Sequence, residues 1–167
     1  MTTEAMLLEF DLAIRSRIEI AAPPAAVWSQ LGRLQGWKSS VVSVERLAGE
    51  ADAEGETLRV GQRPGDTTVH TIMRTVRIDP WAWKVQTLQT EDGHTTDGYV
   101  AYTLEPAGAN GTRLSCEVVA RCRVVPPDDV AETVSPADFA LAVNVSTRAK
   151  LDADHAVLKW LVESGRA

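Results

Sequence analysis

The sequence predicts an α+β protein: a curved seven-stranded antiparallel sheet wrapped around a long C-terminal helix, with two short helices after strand 1. Three observations carry this prediction. Seven strand-like segments are joined by gaps of hairpin length, too short for the crossovers that parallel strands need. One long amphipathic pattern closes the chain. Strands and helices are segregated along the sequence, which is the signature of α+β rather than α/β architecture.

The first strand is the clearest. From Asp11 to Ile20 the chain alternates with period two, Leu12, Ile14, Ser16, Ile18 and Ile20 to one side and Asp11, Ala13, Arg15, Arg17 and Glu19 to the other. Pro23 and Pro24 end it, because neither can donate to a ladder. Pro24 suits the first turn of a helix, where the missing N–H costs nothing. Ala25 to Leu31 then gather Val27, Trp28 and Leu31 on one side, Gly32 provides a stop, and a second short turn holds Leu34 and Trp37.

Further strands are predicted over 41–47, 56–63, 67–78, 83–90, 98–105 and 112–125, separated by the turn formers of AGEADAEGE, RPGD, DPWA, EDGHTTDG and EPAGANGT. In the last segment Ser135 caps a helix, Pro136 takes its first position, and Asp138 completes a capping-box-like pattern. Val143, Thr147, Leu151, Leu158 and Leu161 form its stripe, and a helix of ~28 residues would run ~42 Å, enough to cross a whole sheet. Trp28, Trp37 and Trp160 are expected in the core, and Trp81 and Trp83 beside a turn.

Composition narrows the function classes. At 167 residues, 44% hydrophobic and 24% charged, a single domain is expected over residues 11–165 after an N-terminal extension of residues 1–10. A net charge of −6 offers no basic field for phosphate backbones, so nucleic acid is not an expected partner. No apolar run reaches the ~20 residues of a membrane span. The N-terminal stretch carries Glu4, Glu9 and Asp11 in place of a basic signal region, so a cytoplasmic location is expected. Cys116 and Cys122 share one face of a single strand ~20 Å apart, beyond the ~7 Å reach of a disulfide, and read as buried small hydrophobes. His155 follows Asp152 and Asp154 with no second His or Cys at metal-ligand spacing, so it reads as part of a solvated face. No phosphate-binding glycine loop, nucleophile elbow or calcium loop is present, and neither a metal nor a cofactor is expected.

Taken together, APPAAVW after the first strand, GW a few residues on, IDPWAWKV at a central hairpin and YTLEPAGANGTRL at the last one resemble the START-like or Bet v 1-like superfamily, also called SRPBCC. Its bacterial members include polyketide cyclase/dehydrase and lipid-transport proteins. The resemblance spans residues 11–165 and implies a helix-grip fold with a deep apolar cavity between sheet and C-terminal helix. VVPPDDVAETVSPAD, before the last helix, is longer than the corresponding link in many relatives and reads as a surface loop or a lid over residues 126–138.

Alternation nominates the residues that would face such a cavity. On the last strand these are Leu114, Cys116, Val118, Ala120, Cys122 and Val124; on the one before, Val100, Tyr102 and Leu104; on the second hairpin, Leu58, Val60 and Gln62. In the 67–78 strand the face of Ile72, Val76 and Ile78 also carries His70 and Arg74. An apolar wall with a few polar groups is what a ligand site looks like. The candidate ligand-binding set is therefore His70, Arg74, Tyr102, Gln62, Leu58, Cys116 and Val118, with Leu158 from the helix. His70 could act as acid or base, Arg74 could hold an enolate or carboxylate oxygen, and Tyr102 could donate to a carbonyl. Alternatively, His70 and Arg74 reach solvent, a bulge reversing their face, and Tyr102 is a core residue with a satisfied hydroxyl.

Three functions follow from this reading. The first is binding of a hydrophobic or aromatic small molecule, lipid- or polyketide-like. The second is a polyketide cyclase/aromatase-type enzyme, and the third a protein-interaction module of chaperone or maturation type. No catalytic residue is assigned from the sequence, and its oligomeric state is not legible there.

Overall fold

Alternation and turn chemistry place eleven elements in this computed structural model, which describes residues 7–166. Strand β1 (Leu8–Ile20) leads into helices α1 (Pro24–Leu31) and α2 (Leu34–Trp37). Strands β2 (Val41–Ala48), β3 (Thr57–Gln62), β4 (Val69–Asp79), β5 (Trp83–Thr90), β6 (Thr95–Ala107) and β7 (Gly111–Val124) follow, then helices α3 (Asp128–Thr133) and α4 (Pro136–Glu163). All seven strands form one antiparallel sheet in the order β1-β7-β6-β5-β4-β3-β2. Residues 1–6 of the expected N-terminal extension lie outside the described residues, and Leu8–Phe10 already pair with β7.

Helix α4 packs chiefly on β1, α1 and α2. It is 28 residues long, and Ser135 caps it by accepting the Asp138 N–H at 3.1 Å while its hydroxyl donates to the Asp138 carboxylate at 2.7 Å. The two short helices fill the end of the sheet beyond β1. They bury Val27, Trp28 and Leu31 from α1 and Leu34 and Trp37 from α2, and the Trp37 indole N–H donates to the Leu31 carbonyl at 3.3 Å. The expected loop before α4 contains a turn of helix, α3, none of whose residues is buried.

The inward faces of β1, β3, β6 and β7 follow the alternation of the sequence, burying Leu12, Ile14, Val60, Val100, Leu114 and Ala120 among others. Strand β4 does not. Its buried residues are Thr71, Met73 and Thr75, and His70 and Arg74 stand on the outer side. The cause is a bulge: Thr75 pairs with Gln86 but Arg77 pairs with Val85, so Val76 is the extra residue. Beyond it Ile78, opposite Lys84, turns inward, whereas Ile72 before it faces out. Two isoleucines of equal parity thus belong to opposite faces.

Helix α4 brings two further corrections. Trp160, expected in the core, is 53% exposed, with the Arg166 guanidinium 5.3 Å from its ring. His155, expected on a solvated face, is wholly buried. The inward stripe of α4 runs through Leu151, Asp154, His155 and Leu158, because Ser16 of β1 and the α2 end supply polar partners for the middle two.

Candidate functional site

A cavity of about 320 Å³ lies between α4 and the concave face of the sheet. Leu12 and Ile14 of β1, Met73 of β4, Leu88 of β5, Val100 of β6 and Val118 of β7 make its apolar wall. Thr90, Thr95 and Pro64 stand where hairpin ends reach it, and Thr147, Lys150, Leu151 and Asp154 come from α4. The remaining wall is polar: Lys38, which ends α2, Ser40, and Gln62 and Thr71 on neighbouring strands. The Thr71 hydroxyl lies 3.4 Å from the Gln62 carbonyl oxygen, to which it donates.

Charge in this chamber is unevenly compensated. Asp154 accepts the Ser39 N–H at 3.1 Å, the Ser39 hydroxyl at 2.9 Å and the Lys150 ammonium at 3.0 Å. Burial alone would raise its carboxyl pKa, but these donors outweigh burial and hold it below the ordinary carboxylate value. Among the described residues Lys38 has no such partner within hydrogen-bond or ion-pair distance. Its ammonium sits 5.2 Å from the Trp37 ring centroid, and burial lowers its pKa from the ordinary lysine value, outweighing the opposing pull of the Asp154 carboxylate.

A second, smaller pocket of about 20 Å³ lies at the α1 end, between Trp28, Leu31, Leu58, Lys84, Gln86 and Tyr102. It is bounded by an ion cluster. Lys84 lies 3.4 Å from Asp52 and 3.6 Å from the buried Glu56, which also meets Arg46 at 3.4 Å. The Tyr102 hydroxyl is buried opposite Cys116 in the ladder, without a hydrogen-bond partner among the described residues, and burial pushes its pKa well up. Burial likewise pushes the Cys116 thiol up to about 12, so it is an inert hydrophobe here.

The eight residues nominated by the sequence are dispersed. Gln62 and Val118 line the main cavity. Leu58 and Tyr102 line the small pocket, and Cys116 and Leu158 are packed in the core between the helices and the sheet. His70 lies over Gly61 on the outer side, its Nδ1 3.8 Å from Glu91, which binds Arg59 through two hydrogen bonds of 2.8 Å. Arg74 is exposed on the same side. Among the cavity residues that alternation passed over are Lys38, Ser40, Thr71, Met73, Lys150 and Asp154. Thr71 and Met73 were hidden by the β4 bulge, and Lys38 follows a helix too short to show a period. Asp154 lies on the α4 stripe one turn after Leu151, and that spacing is the signal that could have found it.

Residues 11–155 match the family described as polyketide cyclase/dehydrase and lipid transport. No curated protein matches the chain. Among solved structures, the ZhuI aromatase/cyclase from Streptomyces sp. R1128 superposes with a TM-score of 0.71 at 16% identity, covering 95% of this chain and 97% of that one. A truncated norcoclaurine synthase from Thalictrum flavum gives 0.64 at 13% identity over 93% and 95%. A START superfamily protein from Mycobacterium smegmatis gives 0.59 at 15% over 86% and 98%. At these identities the structural likeness establishes the fold, a helix grip, and the sequence match establishes the membership. The chain belongs to the polyketide cyclase/dehydrase and lipid-transport family.

Proposed function

We propose that this protein binds a hydrophobic or aromatic small molecule, lipid- or polyketide-like, in the cavity between α4 and the sheet. The observation that carries the reading is the chamber itself, about 320 Å³ with one apolar and one polar wall, a size at the lower end of ligand pockets. Removing apolar ligand surface from water supplies ~25 cal/mol per Å². In this reading Val118 contacts the ligand's apolar body and Gln62 its polar group. Leu58, Tyr102, Cys116 and Leu158 act indirectly, by keeping the closed end rigid. His70 and Arg74 have no part in it, because they face away from the cavity.

Native mass spectrometry of freshly purified protein tests the proposal. A stoichiometric adduct of a few hundred daltons, extractable into solvent, is the expected result. A bare protein mass, followed by failure of a panel of lipids and aromatic ketones to bind, would overturn it in favour of the interaction module.

A second reading, a cyclase/aromatase-type enzyme, is favoured by the family match and by the likeness to the ZhuI aromatase/cyclase. It would fold a poly-β-ketone in the same chamber and move one proton during aldol closure or dehydration. The side chains in the chamber able to hold that proton are Lys38, Asp154 and Lys150, the last already paired with Asp154. Turnover of a poly-β-ketone that is lost in Lys38→Met or Asp154→Asn, with binding retained, would separate the enzyme from the binder.

A further inference from the structure

The chain carries a net charge of −6, yet the charged side chains lining the cavity are two lysines, Lys38 and Lys150, against one carboxylate, Asp154. The Asp154 oxygens are already occupied by Lys150 and by the backbone N–H and hydroxyl of Ser39. Among the described residues no carboxylate lies within 4.0 Å of the Lys38 ammonium, and its side chain makes no hydrogen bond. A half-buried ammonium facing a largely apolar chamber is costly unless something anionic meets it.

The groups beside Lys38 are matched to the same task. Val41 pairs with Gln62, and the Arg63 N–H donates to the Ser40 carbonyl at 2.8 Å, so Ser40 and Gln62 lie side by side on the wall that Lys38 begins. The Gln62 carbonyl oxygen accepts from Thr71, which leaves its amide NH₂ to donate, and the Ser40 hydroxyl is also uncommitted among the described residues. An ammonium, an amide NH₂ and a hydroxyl therefore share one wall, facing the apolar wall of Leu12, Met73, Val100 and Val118.

We propose that the cavity takes an apolar carboxylate, its anionic end held by Lys38 with Gln62 and Ser40, and its hydrocarbon body against the β-sheet wall. The proposal rests on the reading of the cavity as a ligand chamber and specifies the chemical class of the ligand. Its basis is the unpaired ammonium and the donor-rich wall beside it. A neutral lipid would leave that ammonium uncompensated.

Displacement of the neutral dye N-phenyl-1-naphthylamine by dodecanoate and by dodecanol tests it, since the two competitors differ only in the end group. The wild-type protein is expected to prefer dodecanoate by roughly ten- to hundredfold, the range for a hydrogen bond to a charged group. Lys38→Met should bring the two competitors level while dodecanol binding persists, and Lys38→Arg should restore most of the preference. Gln62→Leu, on a different element, should reduce the preference without abolishing it, and it stands as the test if Lys38→Met does not fold. Equal displacement by both competitors in the wild type, or a preference unchanged in these variants, overturns the carboxylate assignment and leaves the chamber standing. Failure of dye, dodecanoate and dodecanol alike to bind refutes the chamber and the assignment together.

Discussion

Nδ1 of His155, in the middle of α4, lies 2.9 Å from the Ser16 hydroxyl on β1, and that hydroxyl donates to Asp152 at 2.5 Å. With the serine proton directed at Asp152, Nδ1–H donates to Ser16, and Nε2, in the core beside the Trp37 ring, has no partner among the described residues. The contact pins the helix to the edge strand, and burial keeps the imidazole neutral.

Burial, reinforced by the Lys38 charge, lowers the His155 pKa from 6.5 to about 4. The unfolded chain therefore takes up the proton first as pH falls. Stability from this group is complete above about pH 6.5 and is lost progressively down to about pH 4, a change of about 3 kcal/mol at most. Urea unfolding at pH 7 and pH 4.5 should show this loss in the wild type, and His155→Gln should flatten it. A wild-type protein equally stable at both values would contradict the buried neutral imidazole.

The Lys84–Glu56 pair at the closed end is buried on both sides. Glu56→Ala leaves the Lys84 ammonium with only Asp52, which is half exposed. It should cost ~3–5 kcal/mol, as for other buried pairs broken on one side. Denaturant titration reads this directly, and a cost under about 1 kcal/mol would place the pair among surface ion pairs.

Ala120 is buried and lies on the cavity wall, so a larger side chain there projects into the chamber. Ala120→Phe should fill the chamber, abolish any native adduct in mass spectrometry and leave the melting temperature unchanged or higher. Persistence of a stoichiometric adduct in this variant would move the ligand elsewhere on the protein.

His70→Ala and Arg74→Ala, on the outer side of β4, should leave ligand affinity unchanged within about twofold, since surface changes away from a site are close to neutral. Isothermal titration calorimetry with the extracted ligand checks this. A tenfold loss in either variant would mean that the β4 face turns over on binding.

The elements of this fold are written in local pattern. Period-two alternation in β1, the Pro23–Pro24 stop, the Ser135 cap and the turn residues between strands are interactions among near neighbours, so they can be read without a structure. The inward faces of β3, β6 and β7, including Gln62 and Val118 in the cavity, follow from the same rule. What lay beyond local pattern was decided by packing. A single extra residue at Val76 reverses the sense of β4 and sends His70 and Arg74 outward, because side-chain direction changes with every residue and a bulge leaves no sure mark in composition. His155 is buried because Ser16, more than a hundred residues away in the chain, meets it, and Trp160 is exposed because α4 presents a different stripe to β1. The position of Lys38 belongs to the same class: it is enclosed only once α2, α4 and the sheet come together, since burial, and the lack of an ion-pair partner within 4.0 Å among the described residues, are properties of the assembled tertiary structure.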